Sequence, residues 1–96
     1  MIELFLKFKD ANGAEQRVAV DKARFAIGRH STNDLAITDG RLSRDHLLID
    51  RFGDVFVVTE RGSSNGSTIN DTPLTEPTAL SENCRLELGG FEIDVE

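Results

Sequence analysis

The sequence predicts an all-β sandwich assembled from about ten short strands. Three observations carry that prediction. Apolar residues alternate with polar ones at period two in several runs, turn-forming residues recur at strand-length spacing, and helix signals are nearly absent. Ile2, Leu4, Leu6 and Phe8 alternate with Glu3, Phe5 and Lys7, the pattern of a half-buried strand. Asp10-Ala-Asn-Gly13 then turns the chain, Asn-Gly being a strong hairpin signal. Gln16 to Val20 returns with Val18 and Val20 on one face, and Phe25 and Ile27 lead a third strand into Gly28-Arg29. After the polar loop His30-Ser-Thr-Asn33 comes a short strand at Leu35 to Ile37, closed by Asp39-Gly40. Leu47 to Asp50 and Val55 to Thr59 flank a hairpin turn at Arg51-Phe52-Gly53-Asp54. Val55-Phe56-Val57-Val58 is apolar on both faces and is expected to be a central, doubly covered strand. A short strand around Thr68 to Asn70, brief segments at Leu74 and Leu80, and a hairpin of Arg85 to Leu88 with Phe91 to Val95 complete the scaffold.

The chain of 96 residues is one domain's worth, 1–96, with no linker or repeat, and a module of this size also fits within a longer protein. Six Phe with no Trp or Tyr suggest that the aromatics fill the core. The lone Cys84 excludes an internal disulfide, and no residue spacing suggests a metal site. No apolar run approaches the ~20 residues of a membrane span, and residues 1–8 alternate instead of forming an apolar signal core. A cytoplasmic, reducing setting is therefore expected, with no membrane partner. The net charge of −6 sits in the last thirty residues, which hold seven acids against Arg85 alone. Such a chain repels nucleic acid as a whole. The middle segment 24–66 balances six acids with six bases, all of them Arg, the side chain suited to bidentate oxyanion contacts.

Three polar clusters follow or separate the apolar runs: Gly28-Arg29, Ser43-Arg44-Asp45-His46, and Gly62-Ser63-Ser64-Asn65-Gly66-Ser67. Together they offer guanidinium groups, hydroxyls, an amide and glycine-loosened backbone, enough to hold a phosphate dianion without a metal or cofactor. Taken singly each has a plainer reading. Arg29, projecting from a loop mouth, is either an anion clamp or a solvated arginine. Ser43 and His46 suggest a nucleophile and base, yet their spacing does not bring Oγ onto the imidazole and no orienting third group is identifiable. His46, just before Leu47-Leu48-Ile49, also fits a buried histidine that ties a loop to the sheet. Ser64-Asn65-Gly66 is an ordinary tight turn or a grip on extended peptide backbone.

In combination and in this order the clusters resemble the forkhead-associated (FHA) domain. The likeness extends to Asn33-Asp34-Leu-Ala-Ile37, Leu42-Ser-Arg-Asp-His46, Gly62-Ser-Ser-Asn-Gly-Ser67 and Leu86-Glu-Leu-Gly89, and covers essentially the whole chain. The resemblance implies a sandwich of two twisted antiparallel sheets, ten or eleven short strands, with recognition loops at one end. It implies a non-catalytic signalling adaptor, a monomer that binds phosphothreonine in a partner protein marked by a Ser/Thr kinase. By position, Arg29 would pair with the phosphate, and Ser43, Arg44 and Ser64 would add contacts. Asn65 would hold the peptide backbone. Gly28, His46 and Gly66 would shape the loops. Arg41 would help select a flanking residue, with the loop carrying Ser31, Thr32 and Asn33 as a second selector. Glu60-Arg61 departs from the family where an Asp is common, Ser67 replaces a frequent Thr, and Cys84 takes a turn position often held by Gly or Asp. The alternatives from other classes are a docking domain of the same fold indifferent to phosphate, and a hydrolase built on Ser43 and His46.

Overall fold

A computed structural model describes residues 3–96, and eleven strands run through them with no helix among the described residues. They are β1 (Phe5–Lys9), β2 (Glu15–Ala19), β3 (Arg24–Gly28), β4 (Leu35–Ala36), β5 (Leu47–Phe52) and β6 (Val55–Glu60). The rest are β7 (Ser67–Ile69), β8 (Thr72–Pro73), β9 (Thr78–Ala79), β10 (Arg85–Leu88) and β11 (Phe91–Val95). One sheet has the order β2-β1-β11-β10-β7-β8 and the other β4-β3-β5-β6-β9. Ile2, expected to open the first strand, lies outside the described residues.

The period-two pattern becomes the inner face of each sheet. On β10 and β11, Leu86, Leu88, Phe91, Ile93 and Val95 are buried while Arg85 and Glu92 are exposed. From the other sheet Phe25, Ile27, Leu47, Ile49, Phe56 and Val58 close the same core. Burial of these apolar side chains is the main stabilising term.

Three expectations need correction. Val55 to Val58 is not covered on both faces: Phe56 and Val58 are buried, Val57 is half-buried and Val55 is exposed. A two-layer sandwich has only one inner face per sheet, and β6 is covered on that face alone. Phe52 is 65% exposed, so the phenylalanines are not all core filler. The sheets are also not wholly antiparallel, because β4 pairs parallel to β3 through Ile27–Leu35 and Gly28–Ala36. The loop at residues 29–34 doubles back far enough to lay two residues beside the end of β3.

Register brings the polar clusters to one end. Ile27 pairs with Leu47 and Leu47 with Glu60, so the segments after β3, before β5 and after β6 leave the sheet together. In the facing sheet Ser67 pairs with Leu88, which places the Gly89-Gly90 turn beside the same loops.

Candidate functional site

His46 is the node on which the loops are built. It is fully buried, its Nδ1 accepts the Ser43 backbone N–H at 3.0 Å, and its Nε2 lies 3.1 Å from the Gly66 carbonyl. An Nδ1 that accepts leaves the proton on Nε2, which donates to Gly66. Both ring nitrogens are thereby committed. The Gly66 carbonyl also accepts the Gly89 N–H at 2.9 Å, and the Ser64 N–H donates to Ser43 Oγ at 3.0 Å. Ser43 Oγ therefore faces a backbone amide instead of the imidazole, which removes the nucleophile–base pairing considered from sequence.

The first loop is bonded to the second in the same way. The Arg29 and His30 backbone N–H groups donate to the Ser43 and Arg44 carbonyls at 2.9 and 3.2 Å. Asn33 is buried, and its amide donates to the His30 and Arg44 carbonyls at 2.8 and 2.7 Å. Asn33 thus has a scaffold position, whereas Ser31 and Thr32 stand exposed on the loop surface. Thr32 is tied to the His30 ring, its hydroxyl 2.8 Å from Nδ1. Gly28 explains the closeness of the two loops: a Cβ there would run into the Arg44 carbonyl and come within 2.7 Å of the Asn33 amide.

The third loop is held by Glu60, a residue sequence reasoning treated only as a departure from a family pattern. Its carboxylate accepts the Ser63 backbone N–H and the Ser67 hydroxyl. Burial pushes the Glu60 carboxyl up, but hydrogen bonds from Ser67 and Ser63 outweigh it and hold the group below its ordinary value. A carboxylate ending a strand just before a serine-glycine loop was the available signal. Asn65 is exposed, and its amide donates to the Arg41 carbonyl at 3.0 Å.

The site's charge is set by which arginines are already engaged. Arg41 forks onto Asp39, with Nε to Oδ1 at 3.0 Å and Nη2 to Oδ2 at 2.9 Å. The Arg41 guanidinium in turn holds the Asp39 carboxyl below its usual range. Arg61 lies 3.7 Å from Asp45. Arg29 and Arg44 have no ion pair among the described residues. Arg29 is exposed, and its Nε donates to the Leu42 carbonyl at 3.1 Å, while neither Nη1 nor Nη2 has a hydrogen-bond partner among the described residues. Two unpaired guanidiniums, the Ser43 hydroxyl with its proton free to donate, and the exposed Ser64 hydroxyl make a donor set for a compact dianion. Among the described residues no group of three metal-ligating side chains gathers.

A family model described as FHA domain matches residues 25–89. The chain is 32% identical over 88 residues to an oxoglutarate dehydrogenase inhibitor of Corynebacterium jeikeium, covering 92% of this chain and 60% of that protein. It is 28% identical to the glycogen accumulation regulator GarA of Mycobacterium tuberculosis, again over 92% of this chain but 54% of GarA. The chain therefore spans little more than half the length of these relatives. Among solved structures, one from a study of phosphothreonine-dependent FHA domain interactions superposes with a TM-score of 0.86 at 27% identity, covering 99% of this chain and 96% of that one. The FhaA FHA domain complexed with the intracellular domain of Rv3910 gives 0.83 at 28% identity, covering 97% and 99%.

Proposed function

This chain belongs to the FHA domain family, and from that premise we propose that it reads phosphothreonine in a partner protein and performs no catalysis. The observation that carries the reading is that Arg29 and Arg44, both exposed and without an ion pair among the described residues, stand on two loops that are bonded to each other through the Ser43 and Arg44 carbonyls. Arg29 Nη1 and Nη2 would grip two phosphate oxygens, with Ser43, Arg44 and Ser64 completing the shell. The Asn65 amide would hold the peptide backbone. Gly28, His46 and Gly66 would act by shaping the loops.

A phosphothreonine side chain carries a charge near −2 at neutral pH with three acceptor oxygens. Hydrogen bonds to charged groups contribute about 1.5–3 kcal/mol each, so three of them separate phosphorylated from bare peptide by several kcal/mol. A short extended ligand adds little area beyond that, and an affinity near micromolar, about −8 kcal/mol, is expected. The 96 residues act as one recognition domain, working as a monomer in the cytoplasm on a partner marked by a Ser/Thr kinase. An excess of acids over bases argues against nucleic acid as the partner.

Titration calorimetry with a phosphothreonine peptide library, and with phosphoserine and unphosphorylated versions, tests the proposal. Selective binding of the phosphothreonine forms is expected, and Arg29→Ala is expected to weaken it at least about tenfold with the circular dichroism spectrum unchanged. Binding that survives phosphatase treatment would instead select phosphate-independent docking.

A further inference from the structure

Five asparagines occur in the chain, and two of them, Asn12 and Asn65, precede glycine. An Asn-Gly pair is open to spontaneous loss of ammonia, because glycine has no Cβ to keep its nitrogen away from the asparagine side chain. The glycine nitrogen gives up its proton and attacks the asparagine Cγ. A C–N bond forms and closes a succinimide ring, the Cγ–Nδ2 bond breaks, and ammonia leaves. Water then opens the ring at either carbonyl, which gives an aspartyl or an isoaspartyl residue. The attack needs a glycine N–H released from its hydrogen bond and an asparagine side chain free to swing onto it.

The two pairs stand in opposite surroundings. Asn12 and Gly13 are both exposed in the turn between β1 and β2. The Asn12 side chain makes no hydrogen bond among the described residues, and a Cβ at Gly13 would meet nothing within 4 Å. The Gly13 nitrogen is held by its bond to the Asp10 carbonyl at 2.9 Å, and an exposed turn of this kind opens at little cost. Asn65 is equally exposed, so access to water does not separate the pairs. Its amide, however, is tied to the Arg41 carbonyl at 3.0 Å, and the Gly66 N–H donates to Ser63 Oγ at 3.1 Å. Ser63 is fixed in turn by its own N–H on the Glu60 carboxylate. The Gly66 carbonyl accepts from His46 Nε2 and from Gly89. Both reacting groups are thus engaged elsewhere, and freeing them means pulling the third loop off the second and off the Gly89 turn.

We propose that Asn12-Gly13 is a spontaneous deamidation site of this chain, and that Ser63 together with the Arg41 carbonyl guards Asn65-Gly66 against the same reaction. At residue 12 the new carboxylate stands beside Asp10, which already accepts the Asn12 and Ala14 N–H groups, and an isoaspartyl linkage lengthens the main chain of the turn. At residue 65 the reaction would replace an amide donor with a carboxylate against the Arg41 carbonyl. Neither site depends on the loops reading phosphothreonine. Under that reading, the guarded residue is the one that holds the peptide backbone, and Ser63 preserves it as the protein ages.

The test is incubation of the folded protein in mildly alkaline buffer, with peptide mapping by mass spectrometry at intervals. Trypsin cleaves after Lys9, Arg17, Arg61 and Arg85, so Asn12 and Asn65 fall on separate peptides, and fragmentation resolves Asn65 from Asn70 and Asn83. Asn12 should convert at least about tenfold faster than Asn65, as expected where several bonds must open in place of one. In guanidinium, which removes the fold, the two rates should draw together. Ser63→Ala should speed conversion of Asn65 at least about threefold, with the Asn12 rate and the circular dichroism spectrum unchanged. An unmodified Asn12, equal rates at the two sites in the folded protein, or an unchanged Asn65 rate in Ser63→Ala overturns the proposal. An Asn65 that stays slow in guanidinium also overturns it, because the protection would then lie in the local sequence and not in the fold.

Discussion

Glu60 shows how a residue outside the proposed recognition set holds one of its loops. Its carboxylate gathers the Ser63 amide and the Ser67 hydroxyl, and so fixes the loop that carries Ser64 and Asn65. Burial opposes the charged form, yet the bonds from Ser67 and Ser63 leave its folded value below the unfolded value of 4.5. A carboxyl held low in the folded state contributes stability that is present above the unfolded value and lost as pH falls through the folded one. Thermal melts taken as pH falls below about 5 should therefore show a shallower acid loss in Glu60→Gln than in the unaltered protein. At neutral pH the same variant should be less stable by about 1.5–3 kcal/mol, the range for a bond to a charged group. A parallel acid slope in both proteins would assign that titration elsewhere. Arg41 and Arg29 make a matching contrast. Each donates to a backbone carbonyl near the loops, but only Arg41 has its carboxylate partner two residues away.

Strand pairing determines what each side chain is worth. Leu86 on β10 is fully buried between Ile69 and Ile93 across the sheet, so Leu86→Ala should cost about 2–5 kcal/mol in denaturant unfolding. Val55, exposed at the β5–β6 hairpin, should tolerate Val55→Ser within about 0.5 kcal/mol. Both residues belong to apolar strand runs, and their difference marks what the sequence could convey. Alternation in β1, β10 and β11 was readable because one face meets the core and the other meets water. The Val55 to Val58 run was misleading because uninterrupted apolar text does not say which face has a partner. The parallel β3–β4 pair depends on how a polar loop doubles back, and no local residue pattern encodes that. The three clusters were legible through their turn chemistry and order. The bonds that hold their surroundings were not: Asn33 as a loop staple, Asp39 on Arg41, and Glu60 beneath the third loop all depend on distances set by the sheets.

Across the whole molecule, recognition works against the average field. The chain carries a net charge of −6, yet Arg29 and Arg44, on the loops of the proposed site, are exposed and have no ion partner among the described residues. Attraction of a dianion then depends on short-range contacts more than on long-range steering, and moderate salt should weaken binding only several-fold. The second phosphate ionisation lies near pH 6, so affinity should fall as pH drops from 7.5 towards 5.5 and the ligand loses charge. Calorimetry across that range reads the effect, and a flat profile would point to recognition of the monoanion. The doubly engaged Gly66 carbonyl has a further consequence. Because His46 and Gly89 both donate to it, and the Ser43 and Ser64 amides are bonded in turn, the loops are cross-linked before any ligand arrives. The ordering entropy is met during folding, which leaves little to be lost on encounter. The amides of Ser43, Ser64 and Gly89 should accordingly exchange slowly with deuterated solvent in the ligand-free protein, and differences in affinity between peptides should appear in how long they stay bound.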